Sequence, residues 1–372
     1  MTKSYIWTLP TRVFHWLFAL LITLAFLSDD DDLLKYHAII GYAILILLFF
    51  RIVWGFFGPK HSRFKDFPLG IKNVKDFLAS LFSNESKYVG HNPLASYVML
   101  GLLGFAFLAI LSGALTYGIQ EGKGIFSYLN SSFFKEMELF EEIHEFFANL
   151  LLFLIFAHLM GVFSDKVLHP KYETLKSIFN GYKKTDTNET VKLNIFQKIF
   201  SFIMLAVFIW FIYFNISNPT NQLNASIFKP QDFEAQNELF VSECASCHIL
   251  YPPNLLPKKS WEVLMSDLEN HFGDDASLEE DETKNILEFL VENSAENSTQ
   301  QASLLFLKTI ANKDIIAMSE TKIWKKIHDD IPEDFFLHDE IKSKANCKAC
   351  HLDIEKGLLD NDQIKNINSF SF

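Results

Sequence analysis

Residues 139–163 read LFEEIHEFFANLLLFLIFAHLMGVF. As a helix rising 1.5 Å per residue, this run exceeds the length needed to cross a hydrocarbon layer of about 30 Å. It holds two histidines, His144 and His158, fourteen residues apart. That separation is about 21 Å along a helix axis, and fourteen steps of about 100° return within roughly 40° of the same face. One helix therefore presents two imidazoles on one face, one per leaflet. An ionisable side chain inside a bilayer is costly, and its presence points to function.

Four more apolar runs flank this one, at residues 10–28, 36–57, 94–117 and 191–218. The first is short and draws on the aromatic lead-in YIWTLPTRV. Trp7, Trp16, Trp54, Trp210 and Tyr213 lie in or near run ends, where amphipathic rings prefer the membrane interface. Phe is used 39 times in 372 residues and mean hydropathy is +0.13 despite 21% charged residues. That mixture implies apolar segments joined to a polar domain. A soluble helical bundle is disfavoured, because five such runs leave too little polar surface to cover them.

Charge divides the chain. From Thr220 onward there are 28 acidic and 14 basic residues, a net of −14. The whole chain is −12, so the first 219 residues come to about +2. A domain boundary is expected near Asn218–Pro219–Thr220, giving a membrane domain over 1–190, a fifth span over 191–218 and an outer domain over 219–372. The connection after the second run carries Arg51, Lys60, Arg63, Lys65, Lys72, Lys75 and Lys87. The one after the fourth carries Lys166, Lys171, Lys176, Lys183, Lys184 and Lys192. Basic loops stay cytoplasmic. The N-terminus is then inside, and everything past Asn218 is outside, periplasmic for a bacterial inner membrane. No cleavable signal peptide is read; the first span does the targeting and stays.

Depth arithmetic pairs the membrane histidines. His15 opens span one on the inner side, and His37 opens span two on the outer side. Span four runs inward, so His37 matches His144 and His15 matches His158. Each pair can clamp one non-covalent b-type haem between helices. Gly41 and Gly161, close to two of these histidines in sequence, suit a flat macrocycle. His61, His91 and His169 fall in cytoplasmic connections, with His91 beside the start of span three. Arg51 and Arg63 are compatible with lipid-facing charges.

All four cysteines lie in two Cys-x-x-Cys-His motifs, Cys244/Cys247/His248 and Cys347/Cys350/His351. In this pattern two thiols add to the vinyl groups of a haem and the histidine becomes an axial ligand. The spacing places both sulfurs along one macrocycle edge, with the imidazole under the iron. Zinc binding and dithiol chemistry share the Cys-x-x-Cys part. Two copies, no spare cysteine and an outer location favour covalent haem. The sixth ligand of the first haem is sought in His271 or Met265. For the second, His328, His338 and Met318 are available, with His328 preferred. Trp324 lies four residues before His328 on one helix face, placed to pack against a macrocycle.

Two resemblances emerge from these residues. CASCHILYPPNLLPKKSWEVLMSDLENHFGDDASL and KSKANCKACHLDIEKGLLDNDQI resemble the dihaem cytochrome c family over roughly residues 235–370. The resemblance implies bis-histidine haems, with His271 and a histidine upstream of the second motif as distal ligands. WTLPTRVFHWLFAL, YHAIIGYAIL, RIVWGFFGPKHSRF and the two-histidine fourth span resemble the prokaryotic cytochrome b561 family, in the superfamily of nickel–iron hydrogenase b-type subunits. That resemblance covers roughly residues 5–185 and implies a four-helix haem core with quinone chemistry at the membrane.

The expected architecture is all-α: a transmembrane bundle, with a four-helix b-haem core and a fifth tether helix, followed by a soluble helical c-type cytochrome domain. The expected cofactors are two haem b and two haem c. The metal ligands are His15, His37, His144, His158, His248, His271, His328 and His351. The expected function is electron transfer between the membrane quinone pool and a periplasmic acceptor or donor. As an activity this is quinol:cytochrome c-type oxidoreduction by what is mainly an electron carrier. The alternative is a haem-b anchor subunit of a hydrogenase or dehydrogenase complex. A homodimer is compatible with the sequence. Nucleic acid is excluded as a partner by the acidic balance and the lack of phosphate-binding or nucleic-acid motifs.

Overall fold

Asn194 and Gln197 cap each other's backbone at the start of the fifth long helix, each side chain accepting the other residue's N–H. This capping box sets where the helix begins. The Gln197 amide also donates to the Phe57 carbonyl at 2.9 Å, fixing that start to the end of the second long helix. The computed structural model describes residues 2–30, 33–80, 88–135, 139–186, 189–218, 221–310 and 314–365. Asp31, Asp32, Lys87 and the expected boundary at Pro219–Thr220 lie outside the described residues.

The chain packs as two units. The first is Met1–Thr116 with Glu138–Asn224, the second Tyr117–Met137 with Ala225–Phe372. Unit one contains α1 (Leu9–Leu27), α2 (Leu34–Phe57), α3 (Ile71–Ala79) and most of α4 (Pro93–Glu121). The short α5 (Ser132–Lys135) falls in unit two, after the last turn of α4. Unit one resumes with α6 (Leu139–Leu168), α7 (Thr174–Asn180) and α8 (Ile195–Ser217). Five of these helices, α1, α2, α4, α6 and α8, are long and apolar enough to cross a membrane. Their shared core joins Leu21 and Ile22 of α1, Ala43, Leu47 and Leu48 of α2, Ala106 of α4, Leu151 of α6 and Phe208 of α8. Outside that core the large apolar side chains point outward, as Phe153, Phe156, Phe202 and Trp210 do. Lipid is the environment that accepts such a surface.

One end of the bundle is closed by a small sheet. β1 (Thr2–Tyr5) pairs antiparallel with β2 (Tyr182–Thr185), Thr2 opposite Thr185. Gly181, at φ +86°, ends α7 and offers its carbonyl to the N–H groups of Ile6 and Trp7. A side chain at Gly181 would collide with the Tyr5 ring and the Trp7 carbonyl, so both the backbone and the space require glycine. Arg51 is not lipid-facing. It is 3% exposed and donates to the Ser62 carbonyl at 3.1 Å. Arg63 pairs with Asp66 at 3.0 Å.

Unit two contains α9 (Phe233–Gln236), α10 (Glu238–Cys244), α11 (Lys258–Met265), α12 (Glu280–Glu292), α13 (Gln301–Ile310) and α14 (Lys322–Ile327). Its main core includes Phe240, Leu255, Trp261, Met265, Ile286, Leu290 and Ile310, with Cys244 and Cys347 packed on it. A satellite core of Trp324, Phe335, Phe336 and Ile341 packs against Cys350. The connection after α4 is built into this unit. Ile227 N–H bonds the Gly122 carbonyl at 2.9 Å, and Lys123 Nζ pairs with Asp360 at 2.8 Å.

Candidate haem centres

Each of the eight histidines expected as ligands faces one other across a similar gap. His37 and His144 have ring centres 5.9 Å apart, and His15 and His158 stand at 6.4 Å. In unit two His248 and His271 stand at 6.0 Å, and His328 and His351 at 6.2 Å. Two imidazoles bonded to one metal at about 2 Å each, with roughly 1.1 Å more from nitrogen to ring centre, stand about 6.2 Å apart. The four gaps therefore fit a six-coordinate iron held between two histidines. Direct imidazole stacking would be tighter; the Trp324–His328 stack is 4.3 Å.

Side-chain orientation adds to the fit. His37 Nδ1 donates to the Ala25 carbonyl at 3.0 Å and His144 Nδ1 to the Ala109 carbonyl at 2.8 Å. His248 Nδ1 bonds the Ile249 carbonyl at 2.6 Å, and His328 Nδ1 the Trp324 carbonyl at 2.8 Å. Each bond fixes the tautomer that leaves Nε2 with its lone pair, as metal-ligating histidines require. His15 and His351 each keep a buried Nδ1 without a hydrogen-bond partner. A Cβ placed on Gly41 or Gly161 meets nothing within 4 Å, so space is open beside both. Gly113 is the opposite case: a Cβ there would stand 2.8 Å from the His144 ring.

The motif cysteines are free thiols. The two cysteines of the first motif differ in exposure. Cys244, Cys347 and Cys350 are partly buried against the two cores of unit two, whereas Cys247 is exposed and packs on neither. Its Sγ accepts from the Ser246 hydroxyl at 3.6 Å. The reason is local: α10 ends at Cys244, and the chain then turns outward through four exposed residues, 245–248. Burial pushes Cys244 and Cys347 up to about 11, and Cys350 upward too.

Burial and the nearby His328 hold His351 down to about 4. His271 and His328 are lowered mainly by burial. Neutral imidazole is the form that ligates iron. The methionine alternatives are core residues: Met265 is 6% exposed inside the main cluster, and Met318 packs against it. His338 Nδ1 accepts the Glu340 N–H at 3.3 Å, while the His351 ring faces His328. Trp324 stacks on His328 itself, at 15° between planes.

His91, Arg51 and Lys183, separate in the sequence, come together in a polar cluster at the sheet-capped end of unit one. His91 lies between Trp7 and Phe67, 5.0 Å from each ring, with its Nδ1 buried and unpartnered. Lys183, 5% exposed, donates to the Tyr88 and Val89 carbonyls. Burial, then Arg51 and Lys183, hold His91 down to about 3.

Residues 6–181 match the family model of prokaryotic cytochrome b561, and residues 240–359 match that of dihaem cytochrome c. A probable Ni/Fe-hydrogenase B-type cytochrome subunit of Rhodobacter capsulatus is 31% identical over 154 residues, covering 33% of this chain and 58% of that protein. The probable Ni/Fe-hydrogenase 1 B-type cytochrome subunit of Escherichia coli K12 is 25% identical over 154 residues, covering 34% of this chain and 66% of that one. The chain thus spans less than two thirds of the length of these relatives. Among solved structures, the dihaem cytochrome c of Shewanella baltica OS155 is 34% identical, covering 36% of this chain and 95% of that one, with a TM-score of 0.29. The dihaem cytochrome c of Rhodobacter sphaeroides is 38% identical, covering 33% and 95%, with a TM-score of 0.29.

Proposed function

Since the chain belongs to the prokaryotic cytochrome b561 family over residues 6–181 and to the dihaem cytochrome c family over residues 240–359, we propose that it moves electrons between a membrane quinone and a soluble partner outside the cytoplasm. The observation that carries this reading is the set of four histidine pairs at 5.9–6.4 Å. His37/His144 and His15/His158 hold two b-type haems, and His248/His271 and His328/His351 two covalent ones. Cys244 with Cys247, and Cys347 with Cys350, supply the thioether sulfurs; the exposure of Cys247 leaves its sulfur open to a vinyl group. Haem supplies reversible one-electron chemistry, and the protein contributes ligation, burial and spacing. With every iron position filled by histidine, no site is left open for a substrate at iron. The basic connections favour a cytoplasmic N-terminus and a periplasmic C-terminal domain.

On this reading the quinone is assigned to the cluster around His91, whose buried Nδ1 has no partner. A neutral imidazole with an unpartnered nitrogen can take one hydrogen bond from a quinol oxygen or give one to a quinone carbonyl. The buried cations of Arg51 and Lys183 stabilise negative charge developing on that oxygen.

The second reading, an anchor subunit for a separate hydrogenase, is favoured by the names of the curated relatives. Against it stands the connection after α4. Gly122 and Lys123 are engaged by Ile227 and Asp360 of the same chain, so part of this connection is already occupied.

A pyridine haemochrome of the purified chain tests the reading. The expected result is haem b and haem c in a ratio of about 1:1, two of each. Haem c alone would overturn the b-type sites. Reduction of the haems by added quinol is expected next; intact haems that quinol leaves oxidised would overturn the quinone role.

A further inference from the structure

The two Cys-x-x-Cys-His segments are far apart in sequence but are strapped together in unit two. Tyr251, three residues past His248, holds its ring 5.1 Å from the His248 imidazole. Its hydroxyl donates to the carbonyl of Ala345, two residues ahead of Cys347. Tyr251, Cys244 and Cys347 all pack on the same core, and Cys347 is near enough to act electrostatically on the Tyr251 phenol. A second strap runs parallel. The Glu355 carboxylate accepts the Leu250 N–H at 3.3 Å and pairs with Lys348, inside the second motif.

We propose that Tyr251 is a positioning residue that fixes the spacing and mutual orientation of the two c-type haem sites. The ring forms a wall beside His248, and the hydroxyl holds the backbone that leads into Cys347. Ala345 is exposed, so water could satisfy its carbonyl. The bond from Tyr251 therefore contributes location more than solvation. Phenylalanine would fill nearly the same volume and lose that bond, while leucine would lose the aromatic wall as well. The inference rests on both motifs carrying covalent haem, the reading proposed above.

The test uses the full chain with Tyr251→Phe and Tyr251→Leu. Haem content comes from the haemochrome. Relative haem geometry comes from the Soret circular-dichroism couplet, taken as the variant-minus-native difference so that unchanged b-type sites cancel. Two c haems are expected in each variant, with the couplet changed by about a third or more in Tyr251→Phe and about twofold or more in Tyr251→Leu. A residue that only filled the core would lower the melting temperature and leave the couplet as it was. An unchanged couplet with both c haems attached overturns the inference. If Tyr251→Leu loses a haem, Tyr251→Phe alone decides. Loss of covalent haem from Tyr251→Phe also overturns it, because the residue would then act in attachment. A native chain with no haem c contradicts the underlying reading instead.

Discussion

His37 and His144 meet with ring centres 5.9 Å apart, and each turns its Nδ1 toward a backbone carbonyl of a neighbouring helix. His37 reaches Ala25 on α1, and His144 reaches Ala109 on α4. Four helices thus set the aim of two rings. The pair His15/His158 lacks this brace on His15, whose Nδ1 is buried without a partner. His158→Ala is expected to remove one b haem and leave both c haems, taking the b:c ratio from about 1:1 to about 1:2 by haemochrome. Loss of every haem would contradict independent sites.

Gly113 tests the other pair without replacing a ligand. A Cβ at this position of α4 would stand 2.8 Å from His144 Cε1 and Nδ1. Gly113→Val forces the imidazole or the helix aside, an overpacking cost of about 1–3 kcal/mol. The expected outcome is loss of the haem held by His37 and His144, with c-haem content unchanged. A b:c ratio equal to that of the native chain would show that α4 does not aim His144.

The depth pairing was legible because it needs only helix rise and rotation, both regular. That arithmetic joined His37 to His144 and His15 to His158 before any side chain was placed. Only a preference for His328 over His338 was legible, from the helix face it shares with Trp324; the full choice was not. It depends on how the 3-10 segment Glu333–Leu337 turns the chain after α14, and no periodicity encodes that turn. The outward turn that exposes Cys247 was hidden for the same reason, since the motif spacing is identical in both copies. The capture of the connection after α4 by unit two was equally hidden. Ile227 and Gly122 are separated by more than a hundred residues, and their bond is backbone to backbone. The stack of Trp324 on His328 was half legible: spacing put both on one face, but not which partner the indole would take.

Trp324 carries more than a stack. It is 9% exposed, lies 4.3 Å from His328, and anchors the satellite core with Phe335, Phe336 and Ile341. Trp324→Ala is expected to destabilise unit two by about 3–5 kcal/mol, the usual range for truncating a buried aromatic. Trp324→Phe retains a ring beside the imidazole and should cost less than half of that. Chemical denaturation followed at the c-haem absorption band checks both. Equal losses in the two variants would mean that the ring stack contributes little.

His91 makes the stability of unit one acid-sensitive. Its folded pKa is about 3, against an ordinary 6.5, through burial first and then Arg51, Lys183, His61 and His158. As pH falls below about 6.5 the unfolded chain takes up a proton that the folded chain refuses until near pH 3. Stability is therefore full above about 6.5 and declines below it, by up to about 1.4 kcal/mol per pH unit for this group. His91→Gln keeps a polar side chain and removes the titration. Melting of the b-haem band at about pH 7.5, 6 and 5 should show a shallower acid slope for the variant than for the native chain. Identical slopes would assign the sensitivity to other groups. The same variant separates structure from quinone chemistry. If His91 hydrogen-bonds the quinone oxygen, His91→Gln should slow quinol-driven reduction of the b haems at pH 7.5, where its charge state contributes nothing to stability.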